Sequence, residues 1–438
     1  MSKKYYDISI WVILIVAIAF RILLAVFNQG YNDDHITPIL LWSESGSYPD
    51  LSDCHECFQP PGLYFVILKL SQAFNAETFD QVRIVFQYFN LLCSLGVVLI
   101  IYLAISKEKI KNIWKIALIG FWILNPKLIG IGAQATNDIS LILLGMLFTI
   151  SLISFYRERQ LSMLFAVLLT ASCASLIKGS GLVLLVIAVI TIIIYCIQKN
   201  QIWNKVFGAI LVTIALLTVA SIGNYNAKYI DHGNPFTTNR EVAVSPPLFG
   251  SDSYEGRKGI QNISEGFFTF RLIGLLKEPY IINDGKEYPK HRESFWTQLY
   301  GQFSNVLFER HPYSWISINN DMLNFSRVNY LILFPLFIAF LIFYFMRLFK
   351  STKQLLVNKT ISPELIHSLL MGLFCLFLIK YTYDYRGFSY MKLIFIYPVL
   401  LSFINVTTSF KSKGLLVLTF LAIPLFMLNT IYLVLLLV

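Results

Sequence analysis

Two carboxylates in succession, Asp33 and Asp34, with His35 beside them, close the first apolar stretch of the chain. Adjacent acids in such a place either hydrate a helix end or accept protons and ligands, and their surroundings decide which. A second polar segment follows, Cys54-His55-Glu56-Cys57-Phe58-Gln59-Pro60-Pro61-Gly62-Leu63-Tyr64. Its CxxC with His55 and Glu56 suggests a metal, but one CxxC lacks the second ligand pair that zinc sites use. In an oxidising compartment a local Cys54–Cys57 disulfide is the better reading, shaping the loop ahead of Gln59. Cys93, Cys173, Cys196 and Cys375 lie in apolar runs and read as small hydrophobes. Asp138 opens another apolar run, where a carboxylate favours a helix amino terminus, and Lys178 and Arg386 stand at the ends of others. Gly130-x-Gly132-x-x-Ala135 mimics a dinucleotide fingerprint but has no preceding strand, and no Walker loop, zinc-protease helix or nucleophile elbow occurs.

The elements that must position these residues are membrane helices. Of 438 residues, 56% are hydrophobic and 14% charged, and mean hydropathy is +0.64; a soluble domain is ordinarily about 25% charged. Apolar stretches long enough to cross about 30 Å of hydrocarbon recur. They predict about eleven spans: Ile8 to Phe27, Ile84 to Ile105, Trp114 to Ile131, Ile139 to Phe155, Leu161 to Leu176, Gly181 to Ile197, Val206 to Ile222, Leu331 to Met346, Ile366 to Lys380, Leu393 to Thr408 and Leu415 to Leu437. The first span is too long for a signal-peptide core and lacks a cleavage pattern after it, so it is expected to stay as a helix.

Lys and Arg in short loops set the orientation, because positive flanks stay on the cytoplasmic side. Lys3 and Lys4, Lys107 to Lys115, Arg157 and Arg159, Lys199 and Lys205, Arg347 to Lys353, and Lys411 and Lys413 all fall on one side of an eleven-span weave. The amino terminus is therefore expected in the cytoplasm and the carboxyl terminus outside. The net charge of +10 is then topological, and with no basic patch on a soluble element a nucleic-acid partner is not expected. The chain divides into span one (1–27), a first external loop (28–83), spans two to seven (84–225), a large external loop (226–330) and the remaining spans (331–438).

Within the first loop, Thr37 is expected to cap a short helix with Pro38 in its first turn. Ile36, Ile39 and Leu40 give that helix an apolar stripe, so it should lie along the membrane surface. Pro60 or Pro61 opens another apolar helix to about Phe74, too short to span. The large loop predicts an amphipathic helix from Ser294 to Phe308, and a Phe267, Phe268, Phe270 cluster, either for packing or for contact with a sugar or prenyl chain.

An acidic pair after span one, followed by a Gln-Pro-Pro-x-Leu-Tyr type segment, resembles the GT-C superfamily of membrane glycosyltransferases. Asn125-Pro126 followed by Thr136-Asn137-Asp138 is similar to the second acidic position of bacterial members related to aminoarabinose transferase and protein O-mannosyltransferases. Leu176-Ile177-Lys178-Gly179 resembles their Thr-Lys-Gly turn, and Asn224-Tyr225 with Gly233-Asn234-Pro235 resembles the stretch leaving span seven. The chain departs from them at Tyr385-Arg386-Gly387-Phe388-Ser389-Tyr390, where a Gly-Arg-Tyr-x-x-Pro segment is common, and in ending on an apolar run.

The resemblance implies an inverting transfer of a sugar from a polyprenyl-phosphate donor to a lipid, polysaccharide or protein hydroxyl on the external, periplasmic face of a bacterial inner membrane. Asp33 would be the general base and Asp34 would orient the acceptor or share a divalent metal with Asp138, no cofactor being otherwise required. Lys178 and Arg386, both at external helix ends against the positive-inside tendency, would hold the departing phosphate or else snorkel to headgroups. His35, Gln59, Tyr64 and Asp138 would position donor and acceptor; Arg240, Arg257 and Arg271 are weaker phosphate candidates. A polysaccharide polymerase or ligase using a lipid-diphosphate donor is the main alternative. A lipid-linked sugar transporter is the other, although paired broken helices and matching halves are not evident.

Overall fold

A computed structural model describes residues 3–29, 34–198, 202–237, 260, 262–279, 294–304, 320–359, 361–385 and 391–437. The chain is an all-α polytopic membrane protein. Its helices are α1 (Lys3–Phe27), α2 (Thr37–Ser45), α3 (Gly62–Ala73), α4 (Phe79–Lys107), α5 (Asn112–Ile123), α6 (Pro126–Gly132), α7 (Asp138–Glu158), α8 (Leu161–Ile177) and α9 (Leu182–Gln198). They continue with α10 (Ile202–Ile222), α11 (Tyr225–His232), α12 (Ile263–Phe267), α13 (Leu272–Lys277), α14 (Phe295–Ser304), α15 (Asn320–Asn358), α16 (Pro363–Tyr385), α17 (Leu400–Thr407) and α18 (Lys413–Leu437).

Among the described residues, seven helices are long and apolar enough to cross a membrane, and nine crossings result if each of two bent pairs counts as one. The expected eleven is thus not reached by length and composition. The two runs that fall short are α8, with 17 residues, and the stretch Leu393–Thr407, whose first part is a 3-10 turn through Pro398. Proline supplies no N–H to an α-helical ladder, which explains the irregular start.

The breaks have local causes. Pro126 forces Asn125 out of the helical region (ψ 122°), and α5 and α6 meet at 46° while the Asn125 side chain accepts from the Leu128 N–H. Between α10 and α11 the chain bends by 61° at Gly223-Asn224, with Asn224 at φ 62°, a conformation asparagine tolerates. At α4, Thr78 and Gln81 form a reciprocal capping box.

One large apolar core runs through the bundle, and a second, smaller one lies at the end that carries Asp138. The smaller core gathers Ile36, Ile39, Leu63, Tyr64, Ile67, Leu68, Val82, Phe86 and Ala135, so α2 and α3 are clamped against the start of α4. Gly62 permits this packing: a Cβ there would lie 2.6 Å from the Leu176 carbonyl oxygen at the end of α8. At the opposite end, Lys115 Nζ donates to the Ser106 carbonyl (2.5 Å), and Arg347 donates to Asn405, Thr408 and Ser409.

Candidate active site

The backbone at the Asp138 end is irregular, and its polar groups need partners wherever lipid or protein excludes water. Side chains of α4 and of Asn28, just after α1, provide them. Asn90 Nδ2 donates to the carbonyls of Gln134 and Thr136, each at 2.7 Å, and Asn28 Nδ2 donates to the Ala133 carbonyl at 3.0 Å. The Asn28 carbonyl in turn accepts from Arg83 Nη1 (2.9 Å) and Gln87 Nε2 (2.8 Å). This buried network ties the end of α1, the start of α4 and the α6–α7 connection together, two residues ahead of Asp138.

Asp33 lies outside the described residues, as do Arg386, Arg240 and Arg257. Asp34 is half-buried and its Oδ1 accepts from Thr37 Oγ1 at 2.6 Å. Thr37 therefore does not cap α2: it is the first helical residue, Ile36 holds the cap position, and the nearby carboxylate takes the hydroxyl instead. His35 is buried and its Nδ1 shares a 2.6 Å hydrogen bond with the Tyr64 hydroxyl. The Tyr64 ring stacks on Tyr48 at 6.1 Å, and Tyr48 OH donates to the Gln59 carbonyl at 2.9 Å. Gln59 Nε2 then donates to Glu56 Oε2 (3.1 Å), whose other oxygen meets His55 Nδ1 at 3.0 Å.

The result is a chain of buried and half-buried side chains from His35 to Glu56, held at the start of α3. Burial pushes the Glu56 carboxyl up, but the charge of His35, then the hydrogen bond and charge of His55 and the hydrogen bond of Gln59, outweigh it and hold the carboxyl down at about 2. Burial and the Glu56 charge push the Tyr48 hydroxyl up, keeping it a donor. Cys54 and Cys57 are joined by a disulfide that closes the turn carrying Glu56.

Asp138 and Lys178, assigned separate duties above, meet here. Lys178 Nζ lies 2.5 Å from Asp138 Oδ1, with both side chains about nine-tenths buried, and Thr136 Oγ1 donates to Asp138 Oδ2 at 3.1 Å. Lys178, expected to hold the departing phosphate, is thus paired with Asp138, and the buried ammonium and carboxylate satisfy each other. Lys178 also sits over the Phe395 ring at 5.0 Å. Arg271 is likewise engaged, by Glu265 at 2.9 Å. Among the described residues no three His, Cys, Asp or Glu side chains converge on a metal position, and Asp138 is turned to Lys178, so no step is assigned to a metal.

In the large loop, Phe267 packs on Phe295, and Phe270 on Tyr300, Phe334 and Phe337, whereas Phe268 is exposed. Packing thus accounts for two of the three phenylalanines. The helix expected to Phe308 is described only as Phe295–Ser304.

Three residues escaped the sequence reading: Glu56, weighed only as a metal ligand, Tyr48, and Lys228. Lys228, on α11, is 4% exposed and donates to the Phe58 carbonyl. The reasoning that singled out Lys178, a cation at the wrong end of a span, applies equally to Lys228. No family model, curated protein or solved structure matches the chain.

Proposed function

We propose that this protein is an inverting glycosyltransferase that moves a sugar from a polyprenyl-phosphate donor to an acceptor hydroxyl at the non-cytoplasmic face of the membrane. The observation that carries the reading is the half-buried Asp34 carboxylate beside the buried chain His35–Tyr64–Tyr48–Gln59–Glu56, seated on two short apolar helices at one end of the bundle. Buried polar groups are costly, and a set held by hydrogen bonds and one ring stack beside an accessible carboxylate suits a pre-organised site.

Asp34 or its neighbour Asp33 takes the proton of the acceptor hydroxyl as its oxygen attacks the sugar C1. The C1–O bond to phosphate breaks, the electron pair leaves with the phosphate, and the anomeric centre inverts. His35 and Tyr64 position the acid-bearing turn, and Glu56 holds His35 in place by charge. Outside the cytoplasm nucleotide sugars are absent, so the donor carries its activation on a lipid.

The topology belongs to the same reading: eleven crossings, amino terminus inside, in a bacterial inner membrane. Two contacts support counting the short runs. The end of α8 returns to the start of α7 through Lys178 and Asp138, and Leu393–Thr407 runs from Phe395 beside Lys178 to the level of Asn405, bonded to Arg347.

The test is transfer of labelled sugar from a panel of polyprenyl-phosphate sugars to membrane acceptors, with Asp33→Asn and Asp34→Asn at matched expression. Loss of about a hundredfold or more in one variant, the range for a general base, is expected; full activity in both would remove the acidic pair from the mechanism.

A further inference from the structure

Arg21 and Lys228 are both buried, and neither meets a carboxylate of the described residues within ion-pair distance. Arg21, on α1, is fully buried, with Nε bonded to Ser94, Nη1 to the Ala17 carbonyl, and Nη2 unpartnered. Lys228 differs in place. It stands just beyond the α10–α11 break and donates to the Phe58 carbonyl, in the turn immediately ahead of α3. Its ammonium also lies 5.8 Å from the centre of the Tyr225 ring, and Tyr225 OH donates to the Ser175 carbonyl at the end of α8 (3.1 Å). Lys228 is therefore tied to both the disulfide turn and the end of α8.

An ammonium has three donors, and a single neutral carbonyl does not offset the cost of burying its charge. Lys178 solves the same problem with Asp138; Lys228 has no such partner among the described residues. The neighbouring surface carries exposed hydrocarbon at Tyr229, Ile230 and Phe236, all more than half exposed, beside the exposed polar Asn226, Asp231 and His232. A buried charge beside exposed hydrocarbon fits an amphiphile with an anionic head. α3 adds to the polarity, since it begins at Pro61 with no side-chain cap and presents the positive end of its dipole to the same turn.

We propose that Lys228, rather than Lys178, is the described cation that receives the phosphate of the lipid-linked donor. This assignment rests on the glycosyltransferase reading and supplies its missing positive charge. As the sugar leaves, negative charge grows on the phosphate, and a desolvated ammonium at that position stabilises it.

The test uses full-length protein in phosphatidylcholine nanodiscs, with binding of farnesyl phosphate, farnesol and inorganic phosphate followed by native mass spectrometry. Wild type is expected to prefer farnesyl phosphate over farnesol by about tenfold or more, the worth of one charge-assisted hydrogen bond. Lys228→Gln keeps a donor for the Phe58 carbonyl but no charge, and should abolish the preference; Lys228→Arg should keep most of it. Should Lys228 only latch the Phe58 turn, Lys228→Gln would lower the melting temperature and leave the phosphate-over-alcohol ratio unchanged, overturning the assignment. A wild type with no preference would instead bring down the lipid-phosphate reading itself. Displacement of farnesyl phosphate by equimolar inorganic phosphate would overturn the lipid-linked ligand.

Discussion

The two ends of the bundle treat charge in opposite ways. At the end carrying Lys107, Lys109, Lys111, Arg159, Lys411 and Lys413, basic side chains stand in short connections, largely open to water. At the Asp138 end, Arg83, Asp138, Lys178, Glu56, His35 and Lys228 are buried and hydrogen-bonded through elements far apart in sequence. Solvated charges contribute little to stability, whereas buried ones are costly unless each finds a partner. The contrast teaches that the first end leaves its charges to solvent, whereas the second fixes each of them to partners.

The largest break in this contrast should come from Asp138→Ala. It leaves Lys178 buried and unpaired, a loss of about 3–5 kcal/mol, read as a fall in melting temperature or folded yield. Adding Lys178→Met should restore much of the loss, and additive effects in the double-mutant cycle would contradict the pairing.

A medium effect is expected from Glu56→Gln, with a pH signature. The folded carboxyl is depressed to about 2 from an ordinary 4.5, so its charge stabilises the fold above pH 4.5 and that contribution is lost as pH falls through about 2. The melting temperature of the variant should lie several degrees below wild type at pH 6, and the gap should close towards pH 2. A gap independent of pH would mean that the Glu56 charge is not what holds the turn.

The smallest effect sharpens the comparison from the other side. Asp80 meets Arg83 at 3.2 Å, but its side chain is 75% exposed. Asp80→Asn should change stability by less than about 1 kcal/mol, because Arg83 keeps Asn28 and Gln87. Thermal melting at low and high salt checks this.

Much of the scaffold was legible in the residues. Every expected span falls on helix, although Trp114 to Ile131 is divided by the α5–α6 bend and Leu393 to Thr408 has a 3-10 start, because long apolar runs have no other stable form in lipid. The short helices α2 and α3 were legible from Pro38, Pro60 and Pro61 and the apolar spacing behind them. Which of the shorter runs cross was not, since α8 and Leu393–Thr407 depend on packing against α7 rather than on their own length. For the candidate site, the sequence named residues but not the contacts they make with one another. Lys178 and Asp138 are forty residues apart, and Asn28 and Ala133 over a hundred. No local pattern announces that two groups expected to serve a substrate will serve each other. Lys228 lies in the stretch between Asn224-Tyr225 and Gly233-Asn234-Pro235, where no local pattern distinguishes a buried lysine from a solvated one.

The central claim is that the Asp34 end works on a sugar carried by a lipid monophosphate. The most direct measurement gives purified protein in nanodiscs the same labelled sugar as a polyprenyl monophosphate, a polyprenyl diphosphate and a nucleotide derivative, with membrane acceptors. Transfer from the monophosphate alone, lost with Asp33→Asn or Asp34→Asn, is the expected result. Transfer from the diphosphate or the nucleotide sugar, or undiminished transfer in both variants, would contradict it.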